Sequence, residues 1–235
     1  MRVDVIYTFG RLLDNQISNH TVIVVDALRA TSCIVWAVKN GAAKVIPTQD
    51  PGDAVAVAGR LGIQDCVLAG ERGGLPIPGF NIGNSPHEFG PETVRNKTVI
   101  ISTTNGTAAL YGARNAKKAL VGAMINRTAA GVRAAEEGND IIVLCAGTAG
   151  QVSAEDIVAA GAIAEAVCAH SQAELTDAAI ISLATFQNFL DGRLDMALTG
   201  HYRALTALGF EKDVEFCLTQ DLTDVVPCYD NGVIR

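Results

Sequence analysis

At 235 residues the chain can bury a substantial core. A hydrophobic content of 49% with only 5% aromatics suits close-packed helices on a sheet and argues against disorder or a β-sandwich. A net charge of −7 without any basic cluster argues against a nucleic-acid partner.

Met1–Thr8 reads as a first short strand and Leu12–His20 as a turn-rich connection. Val22–Val25 follows, a run of β-branched residues too short for a helix and lacking alternation, which predicts a strand buried on both faces and ending on Asp26. Arg29, Thr31 and Ser32 come next, around the start of a helix from about Ala30 to Asn40 that Asn40 and Gly41 stop. Charge placed just after a buried strand lies where open α/β sheets bind ligands, although Asp26 could equally cap the helix. A strand at Lys44–Pro47, a helix at Asp53–Leu61 stopped by Gly62, and a strand at Cys66–Ala69 complete a βαβαβ order.

Gly70–Pro91 carries Pro76, Pro78, Pro86 and Pro91 and is expected to hold no regular element. A loop this long is uncommon inside a compact domain and is usually functional. Its polar residues Glu71, Arg72, Asn81, Asn84 and Ser85 alternate with glycines, which let backbone approach a ligand closely. From Thr98 the βαβαβ order repeats, with Thr98 over Thr21 and Thr103 over Asp26. The reading is an α/β fold of two duplicated units, about 21–75 and 98–152, followed by a helical portion over 153–235 in a single domain. Ser153–His170 is the clearest helix, capped by Ser153, with Glu155 and Asp156 in its first turn. Helices are also expected at Ala178–Phe189 and Met196–Leu208, and a closing strand and turn within Glu215–Arg235.

Two such units would bring Asp26 and the turn Ser102–Thr107 to a common cleft. Thr103, Thr104, Asn105 and Gly106 sit between a strand and a helix, where hydroxyls and free N–H groups can cradle an anion, although an ordinary cap cluster would look the same. Arg29 and Arg72 suit bidentate contact with phosphate, sulfonate or carboxylate. The carboxylates Asp26, Glu71, Glu155 and Asp156 are hard oxygen ligands of the kind Mg2+ takes, so the pattern points to metal-assisted phosphoryl transfer to water. Cys33 and Cys145 could be nucleophiles, but buried small side chains are the better reading of both. His87 and His201 are candidate general acids.

Six cysteines without CxxC pairs, an opening segment without a signal-peptide core and no apolar run of about 18 residues predict a soluble cytoplasmic protein with free thiols. The small-residue helix Ile157–Val167 could pack against a second copy, which makes a homodimer an expectation.

The segments Val24–Ser32, Gly70–Pro86, Ile101–Thr107, Ser153–Gly161 and Val225–Tyr229 together resemble the 2-phosphosulfolactate phosphatase (ComB) family, over essentially the whole chain. The resemblance implies a three-layer α/β/α fold with a mixed sheet. It also implies Mg2+-dependent hydrolysis of 2-phospho-3-sulfolactate to 3-sulfolactate and phosphate, a step of coenzyme M biosynthesis. It implicates Asp26, Arg29, Thr31, Glu71, Arg72, Asn81, Asn84, Ser85, Thr103, Thr104, Asn105, Gly106, Glu155 and Asp156. Asp26, Arg29 and Arg72 are read as catalytic, and Asp26, Glu71, Glu155 and Asp156 as metal ligands. Either a water on the metal or Asp26 itself attacks phosphorus. A phosphatase of other 2-phospho-hydroxyacids and a non-catalytic module binding an anionic metabolite are the alternatives.

Overall fold

A computed structural model describes residues 1–11 and 17–235; the Leu12–Gln16 part of the expected connection lies outside the described residues. The first half of the chain runs β1 (Arg2–Ile6), β2 (Thr21–Val25), α1 (Ala30–Lys39), β3 (Lys44–Thr48), α2 (Pro51–Leu61), β4 (Cys66–Arg72) and β5 (Leu75–Pro76). The second contains α3 (Pro91–Val94), β6 (Thr98–Ser102), α4 (Gly106–Gly112), β7 (Lys118–Gly122), α5 (Arg127–Glu136) and β8 (Ile141–Cys145). It continues with α6 (Ala154–His170), β9 (Glu174–Leu175), α7 (Asp177–Leu190), α8 (Gly200–Ala207), α9 (Glu211–Leu218), β10 (Cys228–Asp230) and β11 (Val233–Ile234).

The strands form one mixed sheet in the order β5-β4-β6-β3-β11-β10-β7-β2-β8-β1-β9. Two parallel blocks, β4-β6-β3 and β7-β2-β8-β1, are joined by the antiparallel hairpin β10–β11, whose Tyr229 pairs with Ala119 and whose Ile234 pairs with Val45. Each βαβαβ unit gives its first strand to the other block: β2 lies between β7 and β8, and β6 between β3 and β4.

Every residue of β2 is buried, because both faces of the sheet are covered. Val22 and Val24 point into a core shared with Ile34 and Val35 of α1 and Leu110 of α4, which also takes Val45, Val99 and Ile101 from the other block. Ile23 and Val25 point the opposite way, onto Val158, Ile163 and Phe186 of α6 and α7. On that second side α2 covers the β4-β6-β3 block through Ala54, Ala58, Leu68 and Ile100. The result is three layers, α/β/α. No helix among the described residues is long and apolar enough to cross a membrane.

Several expectations are corrected. Gly70–Pro91 is not without regular structure: β4 runs on to Arg72, and Gly73 and Gly74, both at positive φ, turn it into β5. Two consecutive left-handed residues suit a tight hairpin, and glycine takes them without a Cβ clash. Beyond them come a 3-10 turn at Pro86–Glu88 and α3, each started by a proline that fits the first helical position. The helix expected over Met196–Leu208 is two pieces, a 3-10 turn at Met196–Leu198 and then α8. α9 was not expected. Ser153 precedes α6 without a side-chain cap bond, its hydroxyl lying 2.7 Å from Thr148 Oγ1 instead. The small residues of α6 pack closely within the chain. A Cβ on Gly161 would meet the Ser182 carbonyl of α7, and one on Gly131 of α5 would meet Ala166.

Candidate active site

The C-terminal ends of β2, β4, β6 and β8 open onto a cleft of about 300 Å³, roofed by α8. Asp26, Arg29, Glu71, Asn84, Thr104 and Asn105, all expected site residues, line it together with His201. Polar groups gather here because a parallel strand ends where its loop begins, and strand ends of both blocks line this cleft although the three antiparallel pairings through β10 and β11 reverse one block relative to the other. A wider cavity of about 610 Å³ beside β1 is lined by none of the expected residues.

Asp26 is held from both sides. Its backbone N–H donates to Thr31 Oγ1, while Thr31 N–H and hydroxyl both donate to its carbonyl, so the β2–α1 turn is closed by its own atoms. Across the cleft, Gly106 packs so tightly that a Cβ there would lie 2.6 Å from Asp26 Oδ2. Burial pushes the Asp26 carboxyl up to about 6; His201 and the Ala30 N–H pull it down, and Glu71 and Glu155 push it further up. Asp26 thus stands beside the first N–H of α1 and also faces the cleft.

Glu71 Oε1 accepts from Thr104 N–H at 2.7 Å and Oε2 from Gly74 N–H at 2.8 Å. Its carboxylate therefore ties the β4–β5 hairpin to the turn after β6. Glu155 is 1% exposed; Oε1 lies 2.6 Å from His201 Nδ1, and Oε2 is buried with no hydrogen-bond partner. Asp156 accepts from Ala27 and Gly147 N–H at 2.8 and 2.9 Å, bracing the ends of β2 and β8. Burial, then the neighbouring Asp26 and Glu155 charges, raise its carboxyl well above the usual range.

Arg29, 2% exposed, donates to Asp213 Oδ2 at 2.6 Å and to the Gly74 carbonyl at 2.8 Å, and stacks on Phe210 4.2 Å from the ring centre. The second Asp213 oxygen accepts from Ser85 Oγ at 2.7 Å, which takes up the Ser85 hydroxyl. Asn84 lines the cleft with its Oδ1 buried and unpartnered.

The remaining expected residues do other work. Arg72 does not line the cleft: it donates to the carbonyls of Glu71, Ser102 and Gln49 and to Ser102 Oγ, stitching together the ends of three strands. Thr31 is fully buried in the β2–α1 turn. Asn81 accepts from Leu68 N–H at 2.8 Å and pins the loop to β4. Thr103 Oγ1 accepts from Thr107 N–H, a cap within α4's first turn. Cys33 and Cys145 are fully buried, and burial raises both thiols well above their usual value, which removes the thiolate that a nucleophile needs. His87 does not line the cleft; it is half-exposed, with its Nε2 3.3 Å from the Lys212 carbonyl.

Asp213 and the lining residues Gly74, Thr148, Leu205 and Leu208 escaped sequence reading. Asp213 sits in E-K-D-V, an ordinary first helical turn, and nothing there signals an ion pair with Arg29.

The profile of the 2-phosphosulpholactate phosphatase family matches residues 7–232. A protein of Clostridium novyi named probable 2-phosphosulfolactate phosphatase is 37% identical over 97% of this chain and 96% of its own length. One of the same name from Clostridium acetobutylicum is 36% identical over the whole of both chains. Another, from Caldanaerobacter subterraneus, is 37% identical over 97% of this chain and 95% of its own. Matched from end to end in this way, with a buried acid after β2 facing a glutamate after β4 across one cleft, the chain belongs to the 2-phosphosulfolactate phosphatase family.

Proposed function

We propose that this chain is a Mg2+-dependent phosphatase that hydrolyses 2-phospho-3-sulfolactate to 3-sulfolactate and phosphate, the reaction type of coenzyme M biosynthesis. One observation carries the reading: in a chain whose relatives bear that name, Asp26 and Glu71 line a single strand-end cleft beside the amide-rich start of α4.

The charge balance of the cleft supports a cation. Asp26, Glu71 and Glu155 cluster there against Arg29 and His201, and Arg29 is already paired with Asp213. A substrate carrying phosphate, carboxylate and sulfonate would meet net repulsion without a metal. Among the described residues no three His, Cys, Asp or Glu are arranged to hold a metal unaided. Mg2+ suits that inventory, since it commonly takes one or two protein carboxylates and fills its shell with water and substrate oxygens. Asp26 and Glu71 are the residues that would hold it, and the unpartnered buried oxygen of Glu155 marks how far the pocket is from electrostatic balance. Bound there, the ion would neutralise phosphate charge and activate water at neutral pH.

The chain's own groups orient the ester. Arg29, fixed by Asp213 and Phe210, offers a rigid cation at the cleft wall, and Asn105, which precedes α4, lines the cleft where its amide groups would meet the phosphate. Asn84 can donate or accept at the hydroxyacid portion. Leu28, Leu205 and Leu208 exclude water from the apolar side.

Phosphate release from 2-phosphosulfolactate, with Mg2+ and then with EDTA, tests the reading. Activity lost in EDTA and restored by Mg2+ is expected. The ratio of kcat/KM for 2-phosphosulfolactate to that for 2-phospholactate then decides the substrate. A ratio near one would remove the sulfonate from recognition, and Arg29 being the one arginine among the described cleft residues makes that comparison informative. A protein that is stabilised by these esters in EDTA yet releases no phosphate would be a binding module instead.

A further inference from the structure

We propose that His201 is the proton donor to the leaving oxygen of the ester, aimed by Glu155. The assignment rests on the phosphatase reading and adds to it a catalytic residue on α8, the helix that roofs the cleft.

The geometry separates the two ring nitrogens. Nδ1 lies 2.6 Å from Glu155 Oε1 and 3.3 Å from Thr148 Oγ1, so it is committed to the protein. Glu155 cannot follow a moving ring: it is 1% exposed in the first turn of α6, packed beside Asp156, which bonds the ends of two strands. The His201 side chain is still 21% exposed and lines the cleft alongside Asp26 and Thr104, which leaves Nε2 as its working atom. A carboxylate on Nδ1 orients an imidazole and stabilises its cationic form, the arrangement used where a histidine passes a proton through its other nitrogen.

The charged groups facing the ring come from three elements. These are Glu155 on α6, Asp26 after β2 and Arg29 before α1; with Asp26 given to the metal and Arg29 paired with Asp213, the Glu155 carboxylate at 2.6 Å is the group placed to hold a proton on the ring. The other groups at the cleft are worse donors. Both Glu71 oxygens accept N–H bonds, Arg29 does not give up a proton, and Asp26 is assigned to the metal.

The need for an acid follows from the substrate class. The leaving group of a 2-phospho-hydroxyacid is a secondary alkoxide, a strong base that departs slowly unless protonated as it leaves. In the step, a water oxygen forms the new P–O bond and its proton passes to solvent. The bond from phosphorus to the ester oxygen breaks with its electron pair going to that oxygen, which takes the proton from His201 Nε2. His201 then regains a proton from solvent, so one water is consumed and the hydroxyacid and phosphate are released.

The test is a leaving-group comparison in the full-length protein with Mg2+. His201→Asn places an amide N–H near the Nδ1 position to keep the Glu155 contact and removes Nε2; an unchanged Tm confirms folding. Wild type and variant are assayed on 2-phospholactate, an alkyl ester, and p-nitrophenyl phosphate, whose phenolate leaves without a proton. The expected result is a fall in kcat of about 100-fold or more on the alkyl ester, within the range for a lost general acid, and about threefold or less on the aryl ester. Glu155→Gln, altering a positioning residue, should show the same selectivity at about tenfold. Equal losses on both esters, or no loss on either, would overturn the assignment of His201 while leaving the phosphatase reading in place. A wild type that cleaves neither ester nor 2-phosphosulfolactate would overturn both.

Discussion

Gly106→Ala is the substitution that most directly probes how the site is built. Gly106 opens α4 against Asp26, and a Cβ there would stand 2.6 Å from both Ala30 Cβ and Asp26 Oδ2, and 3.3 Å from Asp26 Cβ. Carbon atoms rest about 3.5–4.0 Å apart, so about 1 Å of relief is needed. Neither side yields easily: Ala30 is fully buried, and the Asp26 backbone is locked by three hydrogen bonds with Thr31. Overpacking of this kind costs about 1–3 kcal/mol, which in a chain of this size lowers Tm by about 2–10 °C. Displacing Asp26 by even part of that distance should cost about 100-fold in kcat, because a shift near 1 Å spoils reactive alignment. The control is Gly59→Ala on α2, where nothing lies within 4 Å of the new methyl. It should gain about 0.5–1 kcal/mol and leave phosphate release unchanged. Urea denaturation and phosphate release measure both variants. A Gly106→Ala protein with wild-type stability and kcat would refute the claim that the two strand ends meet in van der Waals contact.

In EDTA, wild type should lose stability as pH rises from about 4, since carboxyls raised above their usual range favour folding only while protonated; Asp26, raised from 3.8 to about 6, accounts for about 3 kcal/mol of that loss by about pH 6, and Asp156 adds to it in the same direction. Asp26→Asn should make that slope shallower, leaving the Asp156 part, and a slope unchanged in the variant would assign the Asp26 share elsewhere. Asp213→Ala leaves the buried Arg29 guanidinium without its carboxylate and should cost about 3–5 kcal/mol in urea denaturation; a loss under about 1 kcal/mol would show the pair to be dispensable. Arg72→Ala should lower stability by about 2 kcal/mol while KM changes less than twofold. A tenfold rise in KM at unchanged stability would return Arg72 to the binding site.

The buried strands were legible because a run such as Thr21–Val25 can sit only where both faces are covered, and the acid that ends it had to lie at the mouth of the sheet. The β4–β5 hairpin was hidden by its proline-rich setting, although Gly73–Gly74 carried the turn signal. α9 was hidden for another reason: its stability comes from remote partners, Phe216 stacking edge-on against Trp36 and His87, and Cys217 and Val214 packing on Leu28 and Leu205. Within the site, residue type announced the carboxylates but not the direction of each side chain. Arg29 and Arg72 look alike in sequence, both polar groups at strand ends beside small residues. Only the paired blocks turn one into the cleft and the other along the strand termini.

The exchange of first strands between the two blocks sets a timing problem for synthesis. Thr21–Val25 leaves the ribosome long before either neighbour exists, since its partners are Lys118–Gly122 and Ile141–Cys145. Five buried positions must wait, exposed or loosely held, while the intervening chain is made, whereas of the two exchanged first strands only β6 finds its flanking strands already present. The β4-β6-β3 block can therefore close co-translationally, whereas the block that carries Asp26 forms only in the second half of translation. Nascent chains stalled between the two stages should be the ones that chaperones hold and that aggregate when they are absent.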